Sequence, residues 1–257
     1  MTNRIHQLFA KKKGNILSIY FTAGFPNFND TLPIIQHLDE SGADLVELGF
    51  PFSDPLADGP VIQQSSQQAI KNGMTLEILF GQLQKLRQVT QMPVVLMGYL
   101  NPVLQFGEEN FINACAEVGV DGIIIPDMPL SYYRENFEAI CERKDISNIL
   151  LITPETSENR IRIIDEVSKG FIYMVSTNSI TGANKSLDLQ TAYFNRIRQM
   201  NLKNPTLIGF GIHDSTTFRN ACSNSRGAII GSAFIKHLEK NGVSRDSIND
   251  FINRIVE

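Results

Sequence analysis

Eight short runs rich in Ile, Val and Leu recur along the chain, at Ile16–Thr22, Leu45–Gly49, Val94–Tyr99, Gly122–Pro126, Ile149–Thr153, Phe171–Ser176, Leu207–Gly211 and Ala228–Gly231. Their apolarity is continuous rather than alternating, which buries both faces of each strand, as in parallel sheets covered by helices. The segments between carry helix punctuation: Ser131, Ser157 and Asp214 are candidate N-caps, and Asn72-Gly73 and Lys169-Gly170 are candidate stops. Eight strands alternating with helices predict an α/β fold, the closed eight-stranded parallel (β/α)8 TIM barrel. A doubly wound open sheet is the runner-up. It usually has fewer strands and a glycine fingerprint after the first, whereas the first run here ends in Thr22-Ala23-Gly24-Phe25-Pro26.

Two additions to the repeat are visible. Ile5, Leu8 and Phe9 at helical spacing predict an N-terminal helix that caps the bottom of the barrel, and Leu76 to Val89 predicts an extra helix between the second and third strands. No linker, low-complexity tract or internal repeat interrupts the pattern, so a single barrel domain is expected over residues 1–257.

Composition narrows the function classes. Hydrophobic residues make up 42% and charged residues 19%, enough apolar material for one extended core. The net charge is −4 and basic residues are scattered, with Lys11-Lys12-Lys13 the one run, read as the solvated end of the N-terminal helix. That argues against binding nucleic acid or an anionic membrane surface, both of which need clustered Lys and Arg. No segment approaches the roughly 18 apolar residues of a membrane span, and Met1 to Ala10 carries no apolar signal, so a cytoplasmic location is expected. Cys115, Cys141 and Cys222 are too widely spaced for a zinc motif and read as free thiols.

In such barrels chemistry sits where strands end and helices begin. Glu47 is placed there. Alternation puts Leu45, Glu47 and Gly49 on one face of their strand; if that face points inward, a carboxylate stands at the mouth of an apolar barrel. Desolvation would then raise its pKa toward neutrality, the range a proton donor and acceptor needs. The alternative is a structural glutamate paired with a cation. The following loop, Pro51 to Pro60, holds three prolines and two aspartates in ten residues and can fix side chains in place. Asp58, just before Gly59-Pro60, is open between two roles, a helix cap and a second catalytic carboxylate.

The phosphate end is legible too. Gly209-Phe210-Gly211 and Gly231-Ser232-Ala233 follow the last two strands, where phosphate-binding barrels offer backbone N–H groups and a helix N-terminus, so Gly211, Gly231 and Ser232 are candidate phosphate ligands. Tyr20, Tyr99, Tyr173 and Phe210 lie at or near strand ends and could line an apolar pocket or be plain core. No lysine lies on a predicted strand, which argues against a Schiff-base aldolase. His6, His37, His213 and His237 are scattered, so no metal site is expected, and His213 reads as a loop residue without a chemical role.

Glu47 to Pro60, Glu-Leu-Gly-Phe-Pro-Phe-Ser-Asp-Pro-Leu-Ala-Asp-Gly-Pro, closely resembles the signature of the tryptophan synthase α subunit family. The resemblance extends over nearly the whole chain, through Phe21 to Gly24, Met97 to Pro102, Pro126 to Pro129, Tyr173 and the glycine motifs. It implies a lyase that splits indole-3-glycerol phosphate into indole and D-glyceraldehyde 3-phosphate in tryptophan biosynthesis, with Glu47 as general acid/base and Asp58 engaging the indole nitrogen. It raises Tyr173 and Phe210 above the other aromatics as substrate contacts, and adds Thr181 and Gly182 as a lid that completes the phosphate site. It also implies an α2β2 assembly with a β subunit that carries pyridoxal phosphate, this chain having no cofactor of its own. Asp54-Pro55 and Asn101-Pro102 are the candidate contact surface. Thr177-Asn178-Ser179-Ile180 departs from the family pattern, with serine where many relatives carry glycine, which predicts a stiffer lid. Three rival readings remain: another phosphate-binding barrel such as a sugar-phosphate isomerase, a stand-alone indole-releasing enzyme, and a non-catalytic regulatory subunit.

Overall fold

A computed structural model describes residues 3–176 and 183–257. Nine parallel strands form one sheet: β1 (Ile16–Thr22), β2 (Leu45–Gly49), β3 (Val94–Met97), β4 (Gly122–Ile124), β5 (Ser147–Asn148), β6 (Leu150–Ile152), β7 (Ile172–Val175), β8 (Thr206–Gly209) and β9 (Gly227–Ile230). Their order is β5-β4-β3-β2-β1-β9-β8-β7-β6. β5 and β6 are the two halves of the predicted fifth strand, separated by Ile149; the first half pairs with β4 and the second with β7, which brings the two ends of the sheet together as a barrel. Several predicted strands run one or two residues too far at their C-terminal ends, because the chain there leaves the ladder to build the barrel mouth. Tyr99 already caps a helix, and Phe210 and Gly211 take φ of +72° and +76°.

Helices cover the outside. In order they are α1 (Arg4–Lys11), α2 (Thr31–Glu40), α3 (Pro60–Lys71), α4 (Leu76–Leu83), α5 (Leu86–Val89), α6 (Leu100–Phe106), α7 (Glu108–Val118), α8 (Leu130–Asn136), α9 (Glu138–Lys144), α10 (Glu158–Val167), α11 (Ala183–Gln199), α12 (Ser215–Asn224), α13 (Ser232–Asn241) and α14 (Arg245–Val256). Ser157 and Asp214 cap α10 and α12 as the sequence predicts, the latter in a reciprocal pair with Thr217. Ser131 does not cap α8: Pro129 takes that position, its carbonyl accepting from the Tyr133 amide at 3.0 Å, and Ser131 falls inside the first turn. Asn72 ends α3, but α10 stops at Ser168, before Lys169-Gly170, because the Ser168 hydroxyl is drawn to the carbonyls of Phe171 and Asn148. The extra helix is present as two pieces, α4 and α5, with a break at Gln84-Lys85.

α1 closes the bottom of the barrel. The Asn3 carboxamide caps it from within and donates to the carbonyls of Asp121 and Asp145 at 2.7 and 2.6 Å. Ile5 then inserts against Gly122 and Gly170, where a Cβ on either glycine would meet it at 3.0 and 2.9 Å. Of the lysine run, Lys11 and Lys13 are exposed, while Lys12 is not simply solvated: it pairs with Asp44 at 2.5 Å. Cys115, Cys141 and Cys222 are free thiols. Among the described residues no helix is long and apolar enough to cross a membrane, and no cluster of three or more His, Cys, Asp or Glu could hold a metal ion.

Candidate active site

All seven residues of β1 and all five of β2 are buried. The register sets Ser18 beside Leu45 and Tyr20 beside Glu47, and period-2 alternation sends Ser18, Tyr20 and Glu47 into the barrel. Glu47 is 0% exposed. One carboxylate oxygen, Oε1, accepts from the Ser18 hydroxyl at 2.9 Å; the other, Oε2, is buried with no hydrogen-bond partner among the described residues. No cation pairs with it there, so the alternative of a structural ion pair is not what the fold builds. Burial pushes its pKa up to about 8, against the opposing pull of the Ser18 hydrogen bond.

Asp58 does not cap α3. Gly59 occupies the N-cap and Pro60 opens the helix, while the Asp58 carboxylate accepts from the Tyr99 hydroxyl at 3.1 Å. The same hydroxyl accepts from the Ala57 amide at 3.0 Å, so a single tyrosine fixes both backbone and side chain of this turn. The Asp58 amide closes a turn on the Pro55 carbonyl at 3.0 Å, and Gln63 donates to the Asp58 carbonyl at 2.9 Å. Farther back, Ser66 bonds both the amide and the carbonyl of Phe52 at 2.9 Å. Partial burial raises the Asp58 pKa, moderated by the Tyr99 hydrogen bond.

The barrel mouth opens into a cavity of about 480 Å³, whose lining includes Tyr20, Asp58, Ile62, Met97, Tyr173, Phe210, Gly211, Ile212, His213, Gly231, Ser232 and Lys236. It thus brings together Asp58, Tyr20, Tyr173, Phe210, Gly211, Gly231 and Ser232, candidates that lie far apart in sequence. Tyr99 faces a smaller adjoining cavity of about 20 Å³ that shares Tyr20, Asp58, Ile62 and Met97 with the first. Glu47 lies beneath the cavity rather than on its wall. Thr181 and Gly182 lie outside the described residues, as does Ser179.

Glycines make room for the aromatic walls. A Cβ on Gly209 would overlap the Tyr173 hydroxyl, and one on Gly49 the Tyr20 hydroxyl, so each tyrosine leans over its neighbouring strand only because that strand ends in glycine. Phe210 packs edge-on against Tyr173 with ring centroids 6.3 Å apart and remains 40% exposed to the cavity. Gly231 is the N-cap of α13 and Ser232 its first residue, so the first amides of that helix have no intrahelical acceptor and face the opening.

The sequence reading missed several of these residues. Ser18 carries the hydrogen bond to Glu47, and its signal was available in the polar alternation Ser18, Tyr20, Thr22 within an apolar strand. His213, which follows the predicted seventh strand, lines the cavity, its Nδ1 2.9 Å from the Gly211 carbonyl. On the outer surface Asp54 and Asn101 are exposed but Pro55 is buried, while Leu56, which follows it, is 90% exposed, a large apolar side chain offered to solvent two residues before Asp58.

Comparison with known proteins fits this geometry. The sequence model of the family described as "Tryptophan synthase alpha chain" matches residues 6–254. The tryptophan synthase alpha chain of Flavobacterium psychrophilum is 56% identical over 254 residues, spanning 98% of this chain and 99% of that protein, and its counterpart in Parabacteroides distasonis is 51% identical over the same shares. Among solved structures, the tryptophan synthase subunit alpha of Legionella pneumophila superposes with a TM-score of 0.89 at 29% identity, over 100% of this chain and 98% of that one. The chain belongs to the tryptophan synthase alpha chain family, lyases that act on indole-3-glycerol phosphate.

Proposed function

We propose that Glu47 and Asp58 carry out the retro-aldol cleavage of indole-3-glycerol phosphate, Glu47 as the proton shuttle and Asp58 as a fixed carboxylate for the ring nitrogen. Breaking the bond between indole C3 and the glycerol chain first requires a proton on C3, which turns the ring into an electron sink. The hydroxyl on the adjacent glycerol carbon must then lose its proton as the C–C bond breaks. A carboxyl poised near pH 8 holds a proton at neutral pH and can deliver it to C3, then take one from the hydroxyl. Positive charge develops on the indole nitrogen in the intermediate, and the Asp58 carboxylate, held by Tyr99, stabilises it without reorganising. Glu47 lies below the cavity, so a rotation about its side-chain torsions brings it to substrate; the unpartnered Oε2 leaves little to hold it down beyond the Ser18 bond.

Tyr20, Tyr99, Tyr173 and Phe210 enclose the indole in this reading. Gly211, Gly231 and Ser232, with Thr181 and Gly182 by family resemblance, hold the phosphate at the α13 N-terminus. The observation that carries the proposal is the fully buried, cation-free Glu47 beneath a cavity lined both by Asp58 and by the start of α13.

Family membership implies partnership with a β subunit. We place this chain, as a single barrel domain in the cytoplasm, in an α2β2 assembly whose pyridoxal phosphate belongs to the β subunit. The exposed Leu56, with Asp54 and Asn101, is the surface that suits the contact. Incubation of the purified chain with indole-3-glycerol phosphate, with and without β subunit, tests both claims. Wild type should release indole, faster with the partner, and Glu47→Gln and Asp58→Asn should each lower kcat by more than about 100-fold. Indole release without any response to the β subunit, and no complex on sedimentation, would leave a stand-alone lyase. No release under either condition from folded protein would leave a ligand-binding regulator.

A further inference from the structure

One charged side chain on the cavity wall has no role in the reaction outlined above. Lys236 lies on α13 four residues after Ser232, hence one turn further along the same helix face. Side chains on a helix lean back toward its N-terminus, so the Lys236 stem runs over the turn that opens with Ser232. Among the described residues it is the sole Lys or Arg that lines the cavity, and no carboxylate there forms an ion pair with it.

The charge balance of the occupied cavity calls for such a group. A phosphate monoester brings up to two negative charges to a space whose lining already includes the Asp58 carboxylate. Glycine amides offer direction but no net charge, and a helix N-terminus amounts to about half a positive charge. We propose that Lys236 is a further binding and specificity-determining residue of this site, an ammonium that neutralises the phosphate of the substrate and selects phosphorylated over unphosphorylated indole compounds. This rests on the function proposed above.

The test separates the two. Glycerol 3-phosphate, a phosphate ester without an indole, is titrated calorimetrically in phosphate-free buffer into wild type, Lys236→Met and Lys236→Arg. Indole is titrated as a control, and turnover of indole-3-glycerol phosphate is measured alongside. Lys236→Met should weaken glycerol 3-phosphate about tenfold and raise KM to a similar extent. It should leave kcat within about twofold and indole affinity unchanged, and Lys236→Arg should recover most of the loss. Because Lys236 is exposed, the variants should fold as wild type does. Glycerol 3-phosphate binding to Lys236→Met that matches wild type, while wild type turns over substrate, would overturn the role of Lys236 alone. Wild type that binds glycerol 3-phosphate through Lys236 yet releases no indole would instead overturn the reaction and leave the phosphate site standing.

Discussion

Replacing Glu47 with glutamine should stabilise the protein while abolishing its chemistry, and the size of the gain follows from burial. Folding lifts the Glu47 pKa from 4.5 to about 8. Between those values the folded chain retains a proton that the unfolded chain has released, so the folded state binds more protons and stability falls as pH rises. Below the window both states are protonated and the penalty vanishes; above it the penalty is complete. At about 1.4 kcal/mol per pH unit, the loss reaches roughly 4–5 kcal/mol by pH 9. Glu47→Gln keeps the shape and can still accept from Ser18, but does not titrate. Every other titrating group cancels in the difference between the two proteins. For a domain of this size 1 kcal/mol corresponds to about 2–4 °C, so the Tm of the variant relative to wild type should climb by roughly 10 °C or more between pH 5 and pH 9 in scanning calorimetry. Parallel profiles, within about 2 °C across that range, would refute the claim that an uncompensated carboxylate lies buried at this position. A gain of stability with loss of turnover is the signature of a group kept in an unfavourable place for its reactivity.

Ser18→Val removes the hydrogen bond that pulls the Glu47 pKa down, so the pKa should rise further. If Glu47 must start protonated, kcat/KM falls as pH passes through its pKa, and the alkaline limb of the pH–rate profile should move to higher pH in this variant. An unmoved limb would remove Ser18 from the site. Gly209→Ala places a methyl group where the Tyr173 hydroxyl sits, so it should destabilise the barrel by about 1–3 kcal/mol and raise KM as the ring is displaced. Unchanged KM and Tm would mean that Tyr173 does not depend on that clearance.

The fold was legible because its signals are periodic and local. Eight apolar runs separated by helical stretches predict the barrel, and the strand positions hold to within a few residues at each end. What failed was local punctuation, where a neighbouring residue takes the role expected of the cap or stop. Ser131 has the chemistry of a cap, yet Pro129 precedes it and its carbonyl closes the first turn. The stop after α10 is set by Ser168 reaching carbonyls at Phe171, three residues on, and at Asn148 on β5, contacts that no helix pattern contains.

The site divides along the same line. Strand ends are functional positions in this architecture, so Glu47, Tyr20, Tyr173, Gly211 and Gly231 could be nominated from position, though position alone left Glu47 open to a structural role and the tyrosines to plain core. Asp58 could not, because a residue just before Gly-Pro serves equally as cap or catalyst until the Tyr99 hydroxyl, 41 positions along the chain, is seen to hold it. Lys236 and Ser18 were passed over for complementary reasons. A lysine off the strands reads as solvent-facing, and it reaches the cavity only because α13 starts at the barrel mouth and its side chains lean back toward that start. A serine inside an apolar run reads as a tolerated small polar residue, and its meaning depends on the β1–β2 register that sets it one strand away from a carboxylate. Residue type and spacing therefore nominate the groups proposed to react, whereas the groups that hold, charge and clear space for them become visible chiefly when the chain closes on itself.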